Sequence, residues 1–397
     1  MRGIPAFVLR AVLALAAAAA PCRAAEVLQT GSVRLRLGGE ASASLAEQDL
    51  GYFNNQEYDQ NVLRLVRVRL TTELQLGHHL AVLGEARHTN LSTPRVYAAY
   101  VRVRPWLKIP FDLQAGQVPP VFGAYPRRSY ATDNPLVGEP LGYQYLTSLR
   151  ADAAPARVAD LLGMRGRGWR VRYPLGDTTA APGLASISTL HWDTGVQAHV
   201  ESDVFEAAVA VTQGSPSHPV VRDDNDGKGL SARVAWRSGT GLTAGVSASR
   251  ARYLDGGVER LVGRGSRVQR ALGTDVEYTR GRWRLRFEGF TTDWDLPVAD
   301  VEVPDRALTA WTAMAEVRVK LFPGWSVAGR ADRLDFGAID GGTGLTPWDH
   351  AMTRYEAGVN FTPHRHAVLK LAFQRDLRDG GSVRHYSFIV GQVLLWF

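Results

Sequence analysis

Apolar and polar residues alternate one for one along most of this chain. Val33, Leu35 and Leu37 interleave with Arg34 and Arg36, and Val66, Val68 and Leu70 with Arg67, Arg69 and Glu73. Leu80, Val82 and Ala86 face away from Glu85 and Arg87, and Tyr97, Ala99, Val101 and Val103 from Arg102 and Arg104. A period of two is that of a strand whose faces meet different surroundings. It predicts another strand at Trp169, Val171 and Tyr173, opposite Arg170 and Arg172. The second half repeats the pattern: Trp283, Leu285 and Phe287 oppose Arg284, Arg286 and Glu288, and Trp311 to Leu321 oppose Glu316, Arg318 and Lys320. Tyr355, Ala357 and Val359 oppose Arg354 and Glu356, and Leu369, Leu371 and Phe373 oppose Lys370, Gln374 and Asp376.

The connections alternate as well. Short ones, such as Gly77-His78-His79, Arg280-Gly281-Arg282 and Pro323-Gly324, take turns with longer polar ones at 47–60, 215–228, 255–267, 296–306 and 340–349. Short turns on one side and long loops on the other predict a transmembrane antiparallel β-barrel. Counting back from the last strand gives 16 to 18 strands, all-β. Eighteen is the favoured count if Leu184–Leu190 and Gly195–Val200 both belong to the wall.

The last stretch, Ser382 to Phe397, places Ile389, Gly391, Val393, Leu395 and Phe397 on one face. In a soluble sheet such an apolar edge would invite association; in a barrel it closes the ring against lipid. It resembles the C-terminal signature of bacterial outer-membrane barrels, which implies that Phe397, Leu395 and Val393 are an assembly signal read by the barrel-assembly machinery. Phe388, Val390, Leu394 and Trp396, on the opposite face, are apolar too, so part of the inner side of this strand is expected to be covered.

Residues 1–25 have Arg2 and Arg10, an apolar run from Ala11 to Ala20, and Pro21-Cys22-Arg23-Ala24-Ala25. This is the plan of a signal peptide, too short to span a bilayer at roughly 20 residues. The expected division is therefore a signal peptide at 1–25 and a barrel at 26–397, exported through the periplasm to the outer membrane of a Gram-negative cell. Cys22 is the one cysteine, so a mature chain would have neither a disulfide nor a thiolate metal site. Lipidation of Cys22 fits poorly behind Pro21. The formal net charge is +7, three of those cations lie in the N-terminal segment, and the rest are scattered. That excludes a nucleic-acid footprint.

Nearly every cation is arginine, and the polar face of strand after strand carries it. Arginine's planar fork suits ordered ion-pair walls, so the polar face is assigned to a water-filled lumen. The candidate wall comprises Arg34, Arg36, Arg67, Arg69, Glu73, Arg102, Arg104, Arg170, Arg172, Arg284, Arg286, Glu288, Glu316, Arg318, Arg354 and Glu356, most of the arginines being expected to hold its shape as paired residues. Trp106, Trp169, Trp283, Trp294, Trp311, Trp325 and Trp396, near strand ends, fit interfacial girdles.

One stretch breaks the pattern. Residues 117–167 hold six prolines, Pro119 to Pro155, together with Val121, Phe122, Leu136, Leu141, Tyr143 and Tyr145. A loop of this length is uncommon unless functional, and its apolar content predicts that it packs into the lumen and narrows it. A cap on the rim is the other reading. Its charged residues, Arg127, Arg128, Asp133, Glu139, Arg150, Arg157 and Arg165, are constriction candidates. The preceding YVRVRPWLKIPFDLQAGQVPPVFG, residues 100–123, resembles the core of phosphate-selective-type and related general porins at Tyr100, Ala115, Gly116, Pro120, Phe122 and Gly123. The resemblance implies a porin. It does not extend to phosphate, because lysine-rich loops are lacking.

Other chemistry is thin. His78-His79 and His364-Arg365-His366 lack a nearby third metal ligand. Asp223-Asp224-Asn225-Asp226-Gly227 opens like a Ca²⁺ loop, but position 233 is Arg where the bidentate Glu should stand. No Gly-x-Ser-x-Gly elbow or phosphate loop occurs. The expectation is a non-enzymatic porin without cofactor or metal, giving passive diffusion of small hydrophilic solutes with a mild anion preference. Its partners would be outer-membrane lipid and, as an open alternative, further copies of itself. Two rivals stand: a structural or partner-binding barrel, such as a sheath for an electron-transfer protein, and a soluble secreted β protein.

Overall fold

The computed structural model describes residues 25–90, 92–263, 267–299, 307–342 and 344–397. The expected signal peptide, Ala25 apart, lies outside these residues, as do parts of the expected loops at 255–267, 296–306 and 340–349.

Sixteen strands close into one antiparallel ring. They are β1 (Val33–Ala46), β2 (Val66–Leu76), β3 (Leu80–Thr89), β4 (Arg95–Val103), β5 (Phe111–Gln117), β6 (Thr194–Glu201), β7 (Phe205–Thr212) and β8 (Gly229–Arg237). They continue as β9 (Leu242–Arg252), β10 (Val268–Arg280), β11 (Trp283–Asp295), β12 (Ala307–Phe322), β13 (Trp325–Phe336), β14 (Met352–His364), β15 (Ala367–Arg378) and β16 (His385–Trp396). Each strand pairs with the next, and β16 returns to β1 with Glu40 opposite Trp396 and Ala46 opposite Val390. The rest of that edge of β1 is taken by an extra N-terminal strand, Ala25–Thr30, which pairs from Ala25↔Leu37 to Thr30↔Val33.

The two faces are as the alternation predicts. Leu70, Val196, Leu272, Phe287, Leu371 and Ile389 are exposed on the outside, while Glu40, Asp275, Glu288, Arg330 and Arg354 are buried inside. This is the reverse of a soluble β protein and sets that rival aside. In lipid the backbone polar groups of a sheet must all be paired, which only a closed ring achieves. Every connection at the Phe397 end is short, the longest being 104–110, and the long ones gather at the other.

Two expected wall strands are elsewhere, which makes the count sixteen, the lower of the two. Residues 169–173 are not a strand: Gly168–Arg170 is a 3-10 turn, and Val171 bridges Ala181. Residues 184–190 run inside the barrel with one bridge from Ala185 to Leu146. Residues 169–173 alternate because they pack on one side only, which period two cannot tell from a wall strand, whereas residues 184–189 are buried on both sides. Tyr97 points inward, not outward: the pairing slips between Glu85↔Ala98 and Ala86↔Val96, so Tyr97 is the extra residue of a β-bulge. Of the expected girdle, Trp106, Trp283, Trp311 and Trp325 are exposed, but Trp294 is fully buried in the lumen. Trp169 stacks on Tyr52 inside the mouth, with centroids 3.8 Å apart. Trp396 lies on the inner face beside His366.

The core lies inside the ring. Residues 118–193, between β5 and β6, fold into the lumen and contribute Leu136, Leu141, Leu149, Leu161 and Tyr173 to a cluster with Trp294, Leu334, Phe336, Phe388 and Val390 of the wall. The apolar inner face of β16 is thus covered, as its sequence required, with Phe388, Val390 and Leu394 each 1 % exposed.

Closure can be tested at one contact. The Gly39 N–H donates to the Phe397 carbonyl at 3.2 Å, the Phe397 N–H donates back at 3.0 Å, and a Cβ on Gly39 would stand 2.3 Å from the Phe397 ring. Gly39→Val should therefore lower the yield of the heat-modifiable, membrane-inserted form, as should deletion of Phe397, whereas Gly391→Val, in open space, should leave it near wild type.

Candidate functional site

The lumenal segment leaves β5 through Pro119-Pro120, which cannot donate to a ladder, and crosses the lumen as a short 3-10 turn, Tyr125–Arg128. From residue 124 to 132 it offers donors, and wall carboxylates accept them. Glu288 of β11, 6 % exposed, accepts from the N–H groups of Ala124 at 2.7 Å and Tyr125 at 3.1 Å and from the Tyr143 hydroxyl. Arg127 pairs with Glu206 of β7. Arg128 pairs with Glu277 of β10 at 2.5 Å. The Tyr130 hydroxyl donates to Glu85 of β3 at 3.1 Å, and the Thr132 N–H to Glu40 of β1 at 3.3 Å.

From 131 to 139 the polarity reverses. The segment now offers carbonyls, and wall cations and an amide donate to them. Lys370 of β15 donates to the carbonyls of Ala131, Asn134 and Leu136 at 2.6, 2.7 and 3.2 Å. Asn360 of β14 reaches Pro135 at 2.9 Å, Arg330 of β13 reaches Gly138 at 2.7 Å and Arg354 of β14 reaches Glu139 at 2.9 Å. Gly138 is needed for this approach, since a Cβ there would lie 2.4 Å from the Glu356 carboxylate. Behind these carbonyls, Arg330 is held by Glu356, by Asp332 at 3.3 Å and by Glu316 at 3.5 Å. Arg354 bonds Asp376 at 2.7 Å. Charge-assisted bonds of this kind are the stronger class.

The other candidates fall into three groups. Arg36 and Arg102 share Glu73 at 3.8 and 3.0 Å, Arg104 pairs with Asp112 at 2.9 Å, Arg69 with Glu40 at 3.8 Å, and Arg286 with Glu277 and Glu316 at 2.8 and 3.3 Å. Among the described residues, Arg34, Arg67 and Arg284 face inward with no ion pair or hydrogen bond of their side chains, and Arg318 has only Ser326 at 3.3 Å. Arg170 and Arg172 are not in the wall, because their strand does not form. They stand with Arg165 and Arg167 around a cavity of about 620 Å³ at the long-loop end. Of the loop candidates, Arg150 is a staple of the segment itself, bound twice to Asp152 and once to the Val171 carbonyl. Arg157 is exposed near Asp160. Asp133 accepts from Arg286 through its carbonyl at 3.3 Å, and the Glu139 carboxylate is touched by Thr189 at 3.5 Å.

Sequence reasoning missed Glu206, Arg330 and the Arg233–Asp275 pair at 2.6 Å. Ser231, Arg233, Ala235 and Arg237 alternate with Leu230, Val234 and Trp236, so the wall position of Arg233 was open to the same reasoning. Among the described residues one triplet has metal-ligand chemistry: the ligand atoms of His218, Asp224 and Asp255, in two long-end loops, lie within 4.8 Å of one another. His218 binds Asp224 at 3.1 Å. Burial works against the charged ring, but the hydrogen bond to Asp224 and the Asp255 carboxylate 3.5 Å away push the His218 pKa up to about 10, so at neutral pH the triplet is an ion cluster that ties two loops.

No protein-family model matches the sequence, and no curated protein sequence is significantly similar to it. Solved structures share its fold. OmpT, an outer membrane protein of Vibrio cholerae, superposes with a TM-score of 0.56 at 11 % identity over 94 % of this chain and all of its own. An anion-selective porin from Comamonas acidovorans gives 0.54 at 13 % identity over 92 % of this chain and all of its own. The Salmonella typhi OmpF complex with daunomycin gives 0.56 at 12 % identity over 93 % of this chain and 99 % of its own. The chain thus has the architecture of a porin-like outer-membrane β-barrel.

The anchors lead to two expected outcomes. Lys370→Met strips three buried carbonyls of their donor at a cost of about 3 kcal/mol, so the segment should loosen: cleavage at residues 131–139 by added protease should become faster. At the long-loop end, Asp349 accepts from Ser148, Gly166 and His350 N–H groups at 3.1, 2.8 and 2.7 Å and from the Tyr145 hydroxyl at 3.2 Å. Burial outweighs those bonds and raises its pKa from 3.8 to about 6. A raised carboxyl pKa contributes stability that is complete below the unfolded value and lost as pH rises through the folded one. Protection factors at residues 145–149, with the intrinsic pH dependence of exchange divided out, should accordingly be larger at pH 4 than at pH 7.5, and Asp349→Asn should flatten the difference.

Proposed function

We propose that this protein is an outer-membrane porin that lets small hydrophilic solutes diffuse passively, with a mild preference for anions. The observation that carries the anion preference is the cavity at the long-loop end. Arg165, Arg167, Arg170, Arg172 and Arg378 all line it, and among the described residues none of its walls is Asp or Glu. Elsewhere in the lumen most arginines are neutralised by a carboxylate within 4 Å. Long loops face outward from the cell in outer-membrane barrels, so this unbalanced positive cluster would stand at the outer mouth. A focused field there raises the local concentration of anions. The fold it shares with a porin described as anion-selective is consistent with this reading.

Export by a signal peptide, insertion by the barrel-assembly machinery and contact with lipid on the apolar exterior belong to the same proposal. A homo-oligomer does too, supported by a trimer form among the structures that share the fold. One observation favours a second reading: a long segment with its own buried core fills much of the lumen, which suits a structural barrel that sheaths a partner and conducts little.

Planar-bilayer recording of the purified chain separates the two. Under a KCl gradient the reversal potential should take the sign of anion preference. Replacing Arg165, Arg167, Arg170 and Arg172 together by Gln should bring the anion-to-cation ratio close to unity. Clear cation selectivity of the wild type would overturn the anion reading, and absence of conductance would favour the sheath.

A further inference from the structure

A second cavity, of about 350 Å³, lies on the other side of the long-loop end. It is enclosed by the ends of β2 to β5, by the loop 47–65 and by the last residues of the lumenal segment. Its polar groups have one sign. Arg67, Arg87 and Arg95 line it together with His191, and among the described residues no Asp or Glu does.

Two of these arginines are already engaged with rings. Arg87 lies over the Tyr97 ring at 3.2 Å and bonds Glu85 at 2.6 Å, while Arg95 lies over the Tyr58 ring at 3.8 Å. Among the described residues Arg67 has no ion pair, hydrogen bond or ring contact, and Glu139 and Glu40 act on its charge only from a distance. Beside it are two glutamines, Gln56 and Gln117, each 7 % exposed. Their side-chain amide nitrogens, and Nε of Arg67, are buried without a hydrogen-bond partner. Buried donors left open are rare in folded proteins, and each calls for an explanation. All three belong to residues that line this cavity, although the atoms themselves are shut off from it as the side chains stand.

The remainder of the lining is Thr89 and apolar or aromatic groups, Val96, Leu190 and Val221 with the Tyr58 and Tyr97 side chains. A few convergent polar groups on a mostly apolar wall are the usual plan of a small-molecule site, and the volume is within the usual range for one. A guanidinium with further arginines beside it matches the two oxygens of a carboxylate; the apolar wall matches a small ring or branched chain attached to it.

We propose that this cavity is a saturable binding site for small organic monocarboxylates with an apolar body. Arg67 carries the charge recognition, and the Gln56 and Gln117 amides turn toward the ligand to complete the oxygen shell. The site is separate from the arginine cluster at the mouth, and its occupancy does not depend on whether the lumen conducts.

Isothermal titration calorimetry on the full chain in detergent tests it, with benzoate as the probe and benzamide as its neutral isostere. Saturable benzoate binding is expected, about ten-fold or more tighter than benzamide, because a charge-assisted bond is lost with the neutral ligand. Arg67→Gln should weaken benzoate by a similar factor. Gln117→Glu keeps the side-chain shape and turns a donor into a repelling charge, so it should abolish binding; it also serves should Arg67→Gln fail to fold. Heat-modifiable gel mobility identifies folded variants. No saturable benzoate binding, benzamide binding as well as benzoate, or folded variants that bind like wild type would each overturn the proposal. A wild type that binds benzoate but passes no current would leave this site standing while removing the channel reading.

Discussion

Everything inside this barrel depends on how its buried wall charges are satisfied by a main chain. A closed ring with an apolar exterior pushes its polar residues inward, and a guanidinium or ammonium there must find acceptors away from bulk water. Buried carboxylates need donors in the same way, and the lumenal segment supplies both, in two runs. Its first part presents N–H groups and basic or hydroxyl side chains to the carboxylates of β1, β3, β7, β10 and β11. Its second part presents carbonyls to Lys370, Asn360, Arg330 and Arg354 on β13 to β15. Pro135 and Pro140 keep the second part irregular, which leaves its carbonyls free for the wall. The arrangement is directional: reversing the segment would set carbonyls against carboxylates.

This also explains where charge is balanced and where it is not. The Arg330 guanidinium with Glu316, Asp332 and Glu356, and Arg354 with Asp376, lie under the segment and are buried, where an unpaired ion would be costly. Toward the long-loop end, groups that reach water need no such partner. The arginines at 165, 167, 170 and 172 are of that kind, and they stand on the lumenal segment, not on the wall.

The wall was legible in the sequence because alternation between lipid and lumen is strict. The placement of Glu288, Arg286 and Glu316, the direction set by Phe397 and the covering of Phe388 and Val390 all followed from it. What alternation cannot carry is partnership. Lys370 reads as one more inward cation, yet it holds three carbonyls more than 230 residues away in the chain. Tyr97 sits inside because a bulge resets the phase by one residue, and nothing local in Arg95 to Val103 announces that slip. Residues 169–173 mimic a strand because they too have one covered side. Twenty-four residues of porin resemblance marked where the segment begins; its course inside the lumen is a matter of long-range contacts.

The seam between β1 and β16 has a consequence for how the molecule comes into being. It is the one junction in the wall whose two strands stand at opposite ends of the sequence; every other neighbour is joined by a single connection. Hairpins can therefore accumulate in order of synthesis, but the growing sheet keeps two raw edges until its last strand arrives. Loop-closure entropy makes that final pairing the slowest to find, and raw edges are templates for wrong partners. The N-terminal strand already occupies the lower stretch of one edge, shortening what stays open. The Phe397 ring over Gly39 then acts as a latch, so a chain truncated anywhere upstream is a ribbon and not a smaller barrel.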